Sequence, residues 1–321
     1  MTALTHHLNA MRRFFNTGIT RSAAFRNKQL EQLKSSILKH EKALNEALFQ
    51  DLHKSKEEVW VTETGMVLSE IATALKELKN WMEPRQVPTN LVNFPGKSFL
   101  YPEPLGVVLI IAPWNYPFQL LFMPLIGAIA AGNCIVLKPS ELAGATEKVM
   151  GQIIEEAFDP DFILYARGEG AAIIPELMDN FRYDHVFYTG NTTVGKIIYQ
   201  KAAAWLTPVT LELGGKSPCI VTPNASLKVA AKRIANIKFS NAGQMCIAPD
   251  YILVHRSVKT EFIRLLKETI LKFYGEQPIA SYDFGRIINQ KHFFRLKNLM
   301  ADQKIVHGGE HNEEQLFIAP T

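Results

Sequence analysis

Residues 105–138 have the sequence LGVVLIIAPWNYPFQLLFMPLIGAIAAGNCIVLK, in which two short apolar runs flank a longer one. Residues 105–112 and 134–138 have the length of buried strands, and residues 116–131 have the length of a helix. Continuous apolar strands joined by helices are typical of parallel sheets that are covered on both faces. This stretch therefore predicts an α/β fold.

The same alternation continues beyond this stretch. We expect further strands at residues 162–166 and 185–189, and further helices at residues 144–158, 170–179 and 192–204. The pattern predicts a doubly wound, Rossmann-like parallel sheet that forms a dinucleotide-binding domain over residues 102–210. Ligands of such sheets bind at the carboxyl ends of the strands.

A second α/β unit is predicted over residues 211–321. Its strands are expected at residues 217–221 and 251–255, and its helices at residues 227–240 and 258–274. Residues 1–84 are expected to form helices that pack on the first sheet, including one long helix over residues 58–82. Residues 85–101 are dotted with Pro and Gly and are interpreted as a connector or arm.

Composition excludes several classes of function. With 47% hydrophobic and 21% charged residues, the 321-residue chain is expected to be folded rather than disordered. Its net charge of +4, without clusters of basic and aromatic residues, argues against nucleic-acid binding. The longest apolar run, residues 118–131, is too short to span a membrane and contains Pro124.

The expected compartment is the cytoplasm. Three cysteines form no paired framework, which favours a reducing environment. The first thirty residues contain five Arg and Lys residues and no acid, a composition that also fits a mitochondrial transit peptide. We favour the alternative that they form the first helix of a soluble domain.

One cysteine differs from the other two in its surroundings. Residues 240–251, SNAGQMCIAPDY, place Cys246 in a polar, Gly-containing turn after an apolar helix. Cys134 and Cys219 lie within apolar strands and are expected to be buried structural residues. Cys246 is therefore the candidate nucleophile, although a lone cysteine is more often structural.

Two other motifs offer a base and an oxyanion donor. In residues 211–216, LELGGK, Glu212 stands between two leucines, so partial desolvation is expected to raise its pKa. The alternative is a solvent-facing Glu on an edge strand. In residues 113–117, PWNYP, Asn115 offers a neutral amide where a strand meets a helix, although turns commonly contain Asn.

Together these motifs resemble the aldehyde dehydrogenase superfamily, in particular the subgroup of the class 3 and fatty aldehyde enzymes. The resemblance implies oxidation of an aldehyde to the carboxylic acid through a thiohemiacetal and a thioester on Cys246. It implies that Glu212 is the general base and that Asn115, with the backbone N–H of Cys246, is the oxyanion donor. Met245 beside the nucleophile suits an apolar substrate, such as a medium-chain, long-chain or aromatic aldehyde.

The resemblance also implies a nicotinamide cofactor. Lys138 and Glu141 match the residues that hold the adenine-side ribose, and the carboxylate favours NAD while leaving NADP open. Gly190 lies in a strand-to-helix turn that can face a pyrophosphate. The full set of expected cofactor residues is Trp114, Lys138, Glu141, Thr189, Gly190, Asn191, Gly195, Leu213 and Gly214. The nine histidines show no metal-ligand spacing, so no metal is predicted.

The last expectation concerns the end of the chain. Members of the family continue past Thr321 with a Glu-x-Phe-Gly-Pro motif, so the sequence is interpreted as a C-terminally truncated member with an incomplete catalytic domain. A complete member is expected to form a homodimer. The alternative to an active enzyme is a non-catalytic remnant that binds nucleotide or a partner.

Overall fold

The computed structural model describes residues 3–321 and consists of helices around a five-stranded parallel sheet, with three two-stranded sheets beside it. The helices are α1 (Ala3–Asn16), α2 (Ala23–Leu52), α3 (Lys56–Val59), α4 (Gly65–Met82), α5 (Pro117–Ala131), α6 (Gly144–Ala157), α7 (Gly170–Asp179), α8 (Thr192–Ala203), α9 (Leu227–Phe239), α10 (Lys259–Tyr274) and α11 (Gln290–Met300). The strands are β1 (Arg85–Val87), β2 (Ser98–Leu100), β3 (Val107–Ile111), β4 (Cys134–Lys138), β5 (Ile163–Tyr165), β6 (His185–Thr189), β7 (Val209–Glu212), β8 (Pro218–Val221), β9 (Tyr251–Val254), β10 (His311–Asn312) and β11 (Phe317–Ile318).

The five-stranded sheet has the order β5-β4-β3-β6-β7, and every neighbouring pair is parallel. Every residue of β3 and β4 is buried, which explains why these strands are apolar throughout. The helices separate into two packing groups: α2, α4, α5 and α6 contact one another, while α7 contacts both α1 and α8. The predicted doubly wound α/β architecture is confirmed.

The strand register brings the predicted site residues to one edge of the sheet. Ile111 at the end of β3 is opposite Lys138 at the end of β4, and Thr189 at the end of β6 is opposite Glu212 at the end of β7. Asn115 follows β3 within four residues. Since all five strands are parallel, these residues share the carboxyl edge, where ligands of this fold class bind.

The N-terminal helices contact the five-stranded sheet and its helices, and one of them departs from the expected bounds. Leu8 and Met11 of α1 are fully buried. The helix expected over residues 58–82 is divided, because a π-helical turn, Trp60–Thr64, lies between α3 and α4. A π turn is wider than an α turn and shifts the side chains that follow it around the helix axis. Here it leaves Glu63 and Thr64 buried.

The segment interpreted as a connector or arm forms an exposed hairpin. Strands β1 and β2 pair antiparallel, and the loop between them contains a short 3₁₀ turn, Leu91–Asn93. Leu91 and Phe94 in this loop are 89% and 81% exposed. The hairpin therefore contributes little to the core of the described chain.

The region after β7 has a smaller buried core than the five-stranded sheet. Strands β8 and β9 form a two-stranded parallel sheet, and α9 and α10 pack together beside it. Val221, Ile234 and Phe262 belong to its small buried core. The expectation that Cys219 is buried is wrong: this side chain is half-buried, because burial alternates along β8 instead of being continuous.

No helix within residues 3–321 is long and apolar enough to cross a membrane.

Candidate active site

Cys246 lies in an exposed turn that follows α9. Its side chain is exposed, as is that of Ile247. The turn is approached through three successive residues in the left-handed region, with φ values of 50° at Asn241, 51° at Ala242 and 80° at Gly243. Only Gly243 is a glycine, and left-handed backbone is unfavourable for Ala242. Surrounding contacts must therefore hold this conformation.

The asparagine of the PWNYP motif contacts the turn that precedes Cys246. Its Nδ2 donates a hydrogen bond of 2.9 Å to the Gln244 carbonyl oxygen. In the opposite direction, Asn241 Nδ2 donates a hydrogen bond of 2.7 Å to the Asn115 carbonyl oxygen. Two motifs separated by about 130 residues in the sequence are therefore joined by reciprocal amide contacts.

The LELGGK motif also approaches this turn. A Cβ added to Gly215 would lie 3.9 Å from the Cys246 carbonyl oxygen, so the two backbones are in van der Waals proximity. A Cβ added to Gly214 would meet nothing within 4 Å, so the backbone here borders open space. The three motifs that carry the resemblance are thus neighbours in space.

Gln244 ties the nucleophile turn to a distant loop. Its Nε2 donates to the carbonyl oxygens of Asn241, at 3.0 Å, and of Arg286, at 2.9 Å. Its Oε1 accepts a hydrogen bond of 3.1 Å from the backbone N–H of Ile288. This one side chain uses its donors and its acceptor to fix the backbone two residues before Cys246.

The expected desolvation of Glu212 is wrong in this structure. Its side chain is exposed and has no hydrogen-bond or ion-pair partner among residues 3–321. The reason is its position: β7 is an edge strand of the sheet, and Glu212 is the last residue of that strand. The half-buried Leu211 and Leu213 pack against the core and leave the carboxylate between them facing outward.

Lys138 and Glu141 lie together where β4 ends. Lys138 is buried, and its ammonium donates a hydrogen bond of 3.0 Å to Glu141 Oε2. Glu141 Oε1 accepts another of 3.1 Å from the backbone N–H of Gly170. Partial burial acts to raise the pKa of Glu141, but the hydrogen bonds from backbone N–H groups and from Lys138 outweigh it and lower that pKa.

The turn after β6 is compact and leads into α8. A Cβ on Gly190 would lie 2.2 Å from the Tyr188 hydroxyl oxygen, so the Tyr188 side chain would have to shift to admit any other residue. Asn191 is the N-cap of α8, and its Oδ1 accepts a 2.9 Å hydrogen bond from Val194 N–H. Gly195 in the first turn of α8 lets Leu213 pack closely, because an added Cβ would be 3.1 Å from the Leu213 side chain.

Trp114 lies on the other side of the Asn115 turn. Its ring centroid is 5.1 Å from that of His292 in α11. Burial lowers the pKa of His292, and the nearby Arg295 and Lys291 lower it further, so the neutral imidazole is favoured beside the indole. Within residues 3–321, no group of three or more His, Cys, Asp or Glu side chains is arranged to hold a metal ion.

Three charged residues beneath the site were missed by the sequence patterns. Lys54, Glu58 and Glu63, named here the buried cluster, adjoin Asn115 and Asn241. Positions 58 and 63 are five apart, a spacing that does not share one face of a regular α-helix. Only the π turn at Trp60–Thr64 makes them neighbours, and no sequence signal had located that turn.

Comparison with known proteins is consistent with this geometry. The aldehyde dehydrogenase family model matches residues 3–321. Staphylococcus aureus 4,4'-diaponeurosporen-aldehyde dehydrogenase is 49% identical over 310 residues, which cover 96% of this chain and 67% of that protein. The dimeric NADP-preferring aldehyde dehydrogenase of Rattus norvegicus is 44% identical, over 100% of this chain and 70% of that protein.

Solved structures give the same assignment. Staphylococcus aureus AldH in its substrate-bound state superposes with a TM-score of 0.97 at 48% identity, over 100% of this chain and 70% of that one. A betaine aldehyde dehydrogenase from the same species, in complex with NAD+, gives a TM-score of 0.84 at 27% identity, over 98% of this chain and 65% of that one. The chain belongs to the aldehyde dehydrogenase family of oxidoreductases, as the three motifs predicted.

Proposed function

We propose that this chain oxidises an apolar aldehyde to its carboxylic acid, with Cys246 as the nucleophile, Asn115 as an oxyanion donor and Glu212 as the base for hydrolysis. The observation that carries the proposal is the 2.9 Å hydrogen bond from Asn115 Nδ2 to the Gln244 carbonyl oxygen. It places a neutral amide against the turn that presents the exposed thiol. A nucleophile beside a preorganised donor is the arrangement that acyl-transfer chemistry requires.

The proposed reaction begins at the Cys246 sulfur. The thiolate adds to the aldehyde carbonyl carbon, and the carbonyl oxygen becomes the negatively charged oxygen of a thiohemiacetal. The second N–H of the Asn115 amide and the backbone N–H of Cys246 are the donors proposed for that oxygen. Departure of a hydride from the same carbon leaves a thioester on Cys246.

Hydrolysis of the thioester is assigned to Glu212. Its carboxylate is exposed at the end of β7, three residues before Gly215, which lies against the Cys246 turn. Water adds to the thioester carbonyl, its proton passes to Glu212, and the thiolate leaves as the carboxylic acid forms.

NAD is the cofactor we propose, and its nicotinamide supplies the acceptor for the hydride. The Lys138–Glu141 pair, the Trp114 ring and the Thr189-Gly190-Asn191 turn line the carboxyl edge of the sheet, with Gly195, Leu213 and Gly214 beside that turn. The open space next to Gly214 fits a flat ring, and the capped N-terminus of α8 fits a pyrophosphate. Discrimination against NADP is proposed to arise from the Glu141 carboxylate.

The substrate class is proposed from the residue beside the nucleophile. Met245 is a flexible, apolar side chain that suits a medium-chain, long-chain or aromatic aldehyde. The similar staphylococcal enzyme is named for 4,4'-diaponeurosporen-aldehyde, which supports an aldehyde as the substrate. A cytoplasmic location and a homodimer are also proposed; the three free cysteines support the first and the rat relative described as dimeric supports the second.

Turnover of aldehyde with NAD tests the proposal. The absorbance of reduced nicotinamide is followed with a medium-chain aldehyde for the unchanged chain, Cys246→Ala and Cys219→Ala. Because only Cys246 is assigned to chemistry, its replacement is expected to lower the rate by at least about 1,000-fold, while Cys219→Ala keeps it. Equal rates in all three proteins would refute the assigned nucleophile.

The role of Glu212 is tested by transient kinetics. Glu212→Gln keeps the size of the side chain but cannot accept a proton. If it is the base for hydrolysis, a burst of reduced cofactor should precede a steady state slowed by roughly 100-fold. Glu31→Gln, at an exposed glutamate outside the site, is the matched control because it makes the same change in net charge. The absence of a burst together with an unchanged steady state would remove Glu212 from the mechanism.

One observation favours a second candidate function, nucleotide binding without turnover. The two-stranded sheet β8–β9 exposes Ile220 and Leu253, so the unit that carries Cys246 is less completely packed than the nucleotide-side sheet. Calorimetric titration with NAD separates the candidates, because binding without any aldehyde-dependent absorbance change supports the second. A folded sample that does not bind NAD would contradict both.

A further inference from the structure

A fully buried ion pair lies beneath the proposed site. Lys54 Nζ is 2.6 Å from Glu63 Oε1, and both side chains are completely inaccessible to solvent. The ammonium also lies 3.8 Å from the centroid of the Tyr116 ring. Neither residue belongs to the turn that carries Cys246 or to the proposed cofactor residues at the carboxyl edge of the sheet. The proposed reaction therefore does not explain why a charged pair is buried here.

The remaining hydrogen bonds of this pair converge on the turn that carries Asn115. Lys54 Nζ donates a 3.1 Å hydrogen bond to the Asn115 carbonyl oxygen. Glu63 Oε2 accepts a 2.8 Å hydrogen bond from the backbone N–H of Gln119, in the first turn of α5. The pair therefore fixes the backbone at both ends of the segment from Asn115 to Gln119.

The third member of the buried cluster, Glu58, contacts the turn that precedes Cys246. Glu58 Oε1 accepts a 2.7 Å hydrogen bond from the backbone N–H of Asn241, the first left-handed residue before Cys246. Asn241 Nδ2 in turn shares the Asn115 carbonyl oxygen with Lys54. The Asn115 turn and the turn before Cys246 are therefore both held by charged side chains. Lys54 precedes α3, Glu58 lies in α3, and Glu63 lies in the π turn.

Stability alone does not explain a buried ion pair. Desolvation of two charges offsets most of their attraction, and apolar side chains of similar volume are often as stabilising. An ion pair adds a preferred direction to the contact, because its hydrogen bonds form only within a narrow range of distances and angles. Here that direction is imposed on the peptide group of Asn115, whose side chain faces the nucleophile turn.

We propose that Lys54, held by Glu63, is a positioning residue that sets the Asn115 amide relative to Cys246. The inference rests on the proposed function, in which Asn115 stabilises an oxyanion. Lys54 touches neither the thiol nor the cofactor edge and acts only through the Asn115 peptide. Loss of its ammonium should therefore slow the steps that form an oxyanion and leave the intrinsic reactivity of the thiol unchanged.

Two reactions of Cys246 separate these effects without any cofactor. With 4-nitrophenyl acetate the thiolate adds to the ester carbonyl carbon, which forms the S–C bond and an oxyanion; the carbonyl then re-forms, the bond to nitrophenolate breaks, and S-acetyl-cysteine remains. With iodoacetamide the same thiolate displaces iodide from a saturated carbon, and no oxyanion forms. The ratio of the acylation rate to the alkylation rate therefore reports the oxyanion donor.

The main variant is Lys54→Met/Glu63→Gln, which removes both charges so that neither is left buried and unpaired. Its acylation rate is expected to fall by roughly 10- to 100-fold, because a small displacement of a donor has a large effect on the rate. Its alkylation rate should stay within about twofold of the native rate. In an Asn115→Ala background the double change should cause little further loss, since both act through one group.

Arg12→Met/Asp184→Asn is the matched control. It removes another ion pair, one that supports Val107 N–H at the amino edge of the same sheet. The ratio of acylation to alkylation should be unchanged in this control. A second test variant, Lys54→Arg, keeps the charge beside Glu63 but cannot place a planar guanidinium where the compact ammonium lies, so its ratio should also fall. Lys54→Arg provides the test if Lys54→Met/Glu63→Gln does not fold.

Specific results would overturn the inference. If Lys54→Met/Glu63→Gln or Lys54→Arg keeps the native ratio of acylation to alkylation while Asn115→Ala lowers it, Lys54 does not position the Asn115 amide. An equal loss in the Arg12→Met/Asp184→Asn control would reduce its role to general stability. Failure of the proposed function is recognised separately, because nitrophenolate release would then persist in Cys246→Ala before any Lys54 variant is compared.

Discussion

The five-stranded sheet and the two-stranded sheet of this chain both contain parallel strands, but they differ in how they are buried. Every residue of β3 and β4 is buried, whereas burial alternates along β8 and β9. The first sheet is covered by helices from two packing groups, while within residues 3–321 β8 and β9 pair only with each other. The first sheet supplies a rigid edge, and the second region supplies the reactive turn.

The comparison indicates where the precision of the site originates. Three successive left-handed residues must be maintained in the turn before Cys246, where Ala242 packs against the small cluster of Phe284, Phe317 and Ala319. That turn is held by a hydrogen bond that Asn115 donates to it and by one that Glu58 accepts from it, and both residues are anchored in the well-packed region. The geometry of a weakly packed region is therefore imposed by a strongly packed one.

The largest predicted difference between the two sheets is the loss of stability when one of their side chains is shortened to alanine. Leu109→Ala in β3 creates a cavity at a fully buried position and is expected to lower the free energy of unfolding by about 3 kcal/mol. Ile220→Ala in β8, where the side chain is 68% exposed, should change it by less than about 0.5 kcal/mol. Urea denaturation of both variants measures the contrast. Equal losses would contradict the proposed difference in packing.

The second prediction compares thiols of the two regions. Burial raises the pKa of Cys134 in β4 to about 12, so its thiolate is scarce at pH 8, and the side chain is also inaccessible. Cys246 is exposed and should react with iodoacetamide at least about 100-fold faster, as measured by mass spectrometry of the modified peptides. Protein denatured in urea is the control, in which the two rates should converge. Comparable labelling in the native protein would be inconsistent with the burial described.

The third prediction concerns the nucleotide-side turn. Gly190→Ala would bring a Cβ within 2.2 Å of the Tyr188 hydroxyl oxygen, so we expect a loss of about 2 kcal/mol in stability and weaker NAD binding. Gly127→Ala in α5 is the matched control, because its Cβ would meet nothing within 4 Å and alanine favours the helix.

Combining Gly190→Ala with Tyr188→Phe sharpens the test. Removal of the hydroxyl opens part of the space that the new methyl group requires, so some of the lost stability should return. Thermal denaturation and calorimetric titration with NAD measure the two effects. If the combined variant is less stable than the sum of the single changes, the crowding described is not the cause.

The smallest predicted effect is a change in pH dependence. Burial raises the pKa of Glu58, although the nearby Lys54 acts to lower it. A group whose pKa is higher in the folded state stabilises the fold most at pH values below its unfolded pKa of 4.5. That stabilisation is lost as the pH rises through the pKa of the folded state. The native protein should therefore lose stability relative to Glu58→Gln as the pH rises above 4.5.

The variant keeps an amide oxygen as acceptor for Asn241 N–H, so its fold should be preserved. Differential scanning calorimetry at pH 5 and pH 8 should give a difference in Tm, variant minus native, that is larger at pH 8 by about 2 °C. A difference that is larger at pH 5 would reverse the sign and indicate that Glu58 is stabilised as the carboxylate.

The sequence predicted the nucleotide-side sheet closely. The strands at residues 134–138 and 185–189 and the helix at residues 170–179 have the expected bounds. These segments are buried on both sides or clearly amphipathic, so hydrophobic pattern and fold agree. The exposed edge position of Glu212 was only the alternative to a desolvated base, because the pattern does not show which strand lies at the edge of a sheet. The half-burial of Cys219 was missed for a similar reason.

The sequence by itself determined the parallel sheet and the separate character of Cys246, because apolar periodicity and local turn composition are properties of neighbouring residues. The resemblance of its three motifs to known enzymes indicated the family. Only the tertiary structure decided which partners complete the site. Lys54, Glu63 and Asn241 meet at the Asn115 carbonyl oxygen from segments far apart in the chain. A charged side chain is buried only where such partners satisfy it, and their meeting depends on the packing of the whole fold.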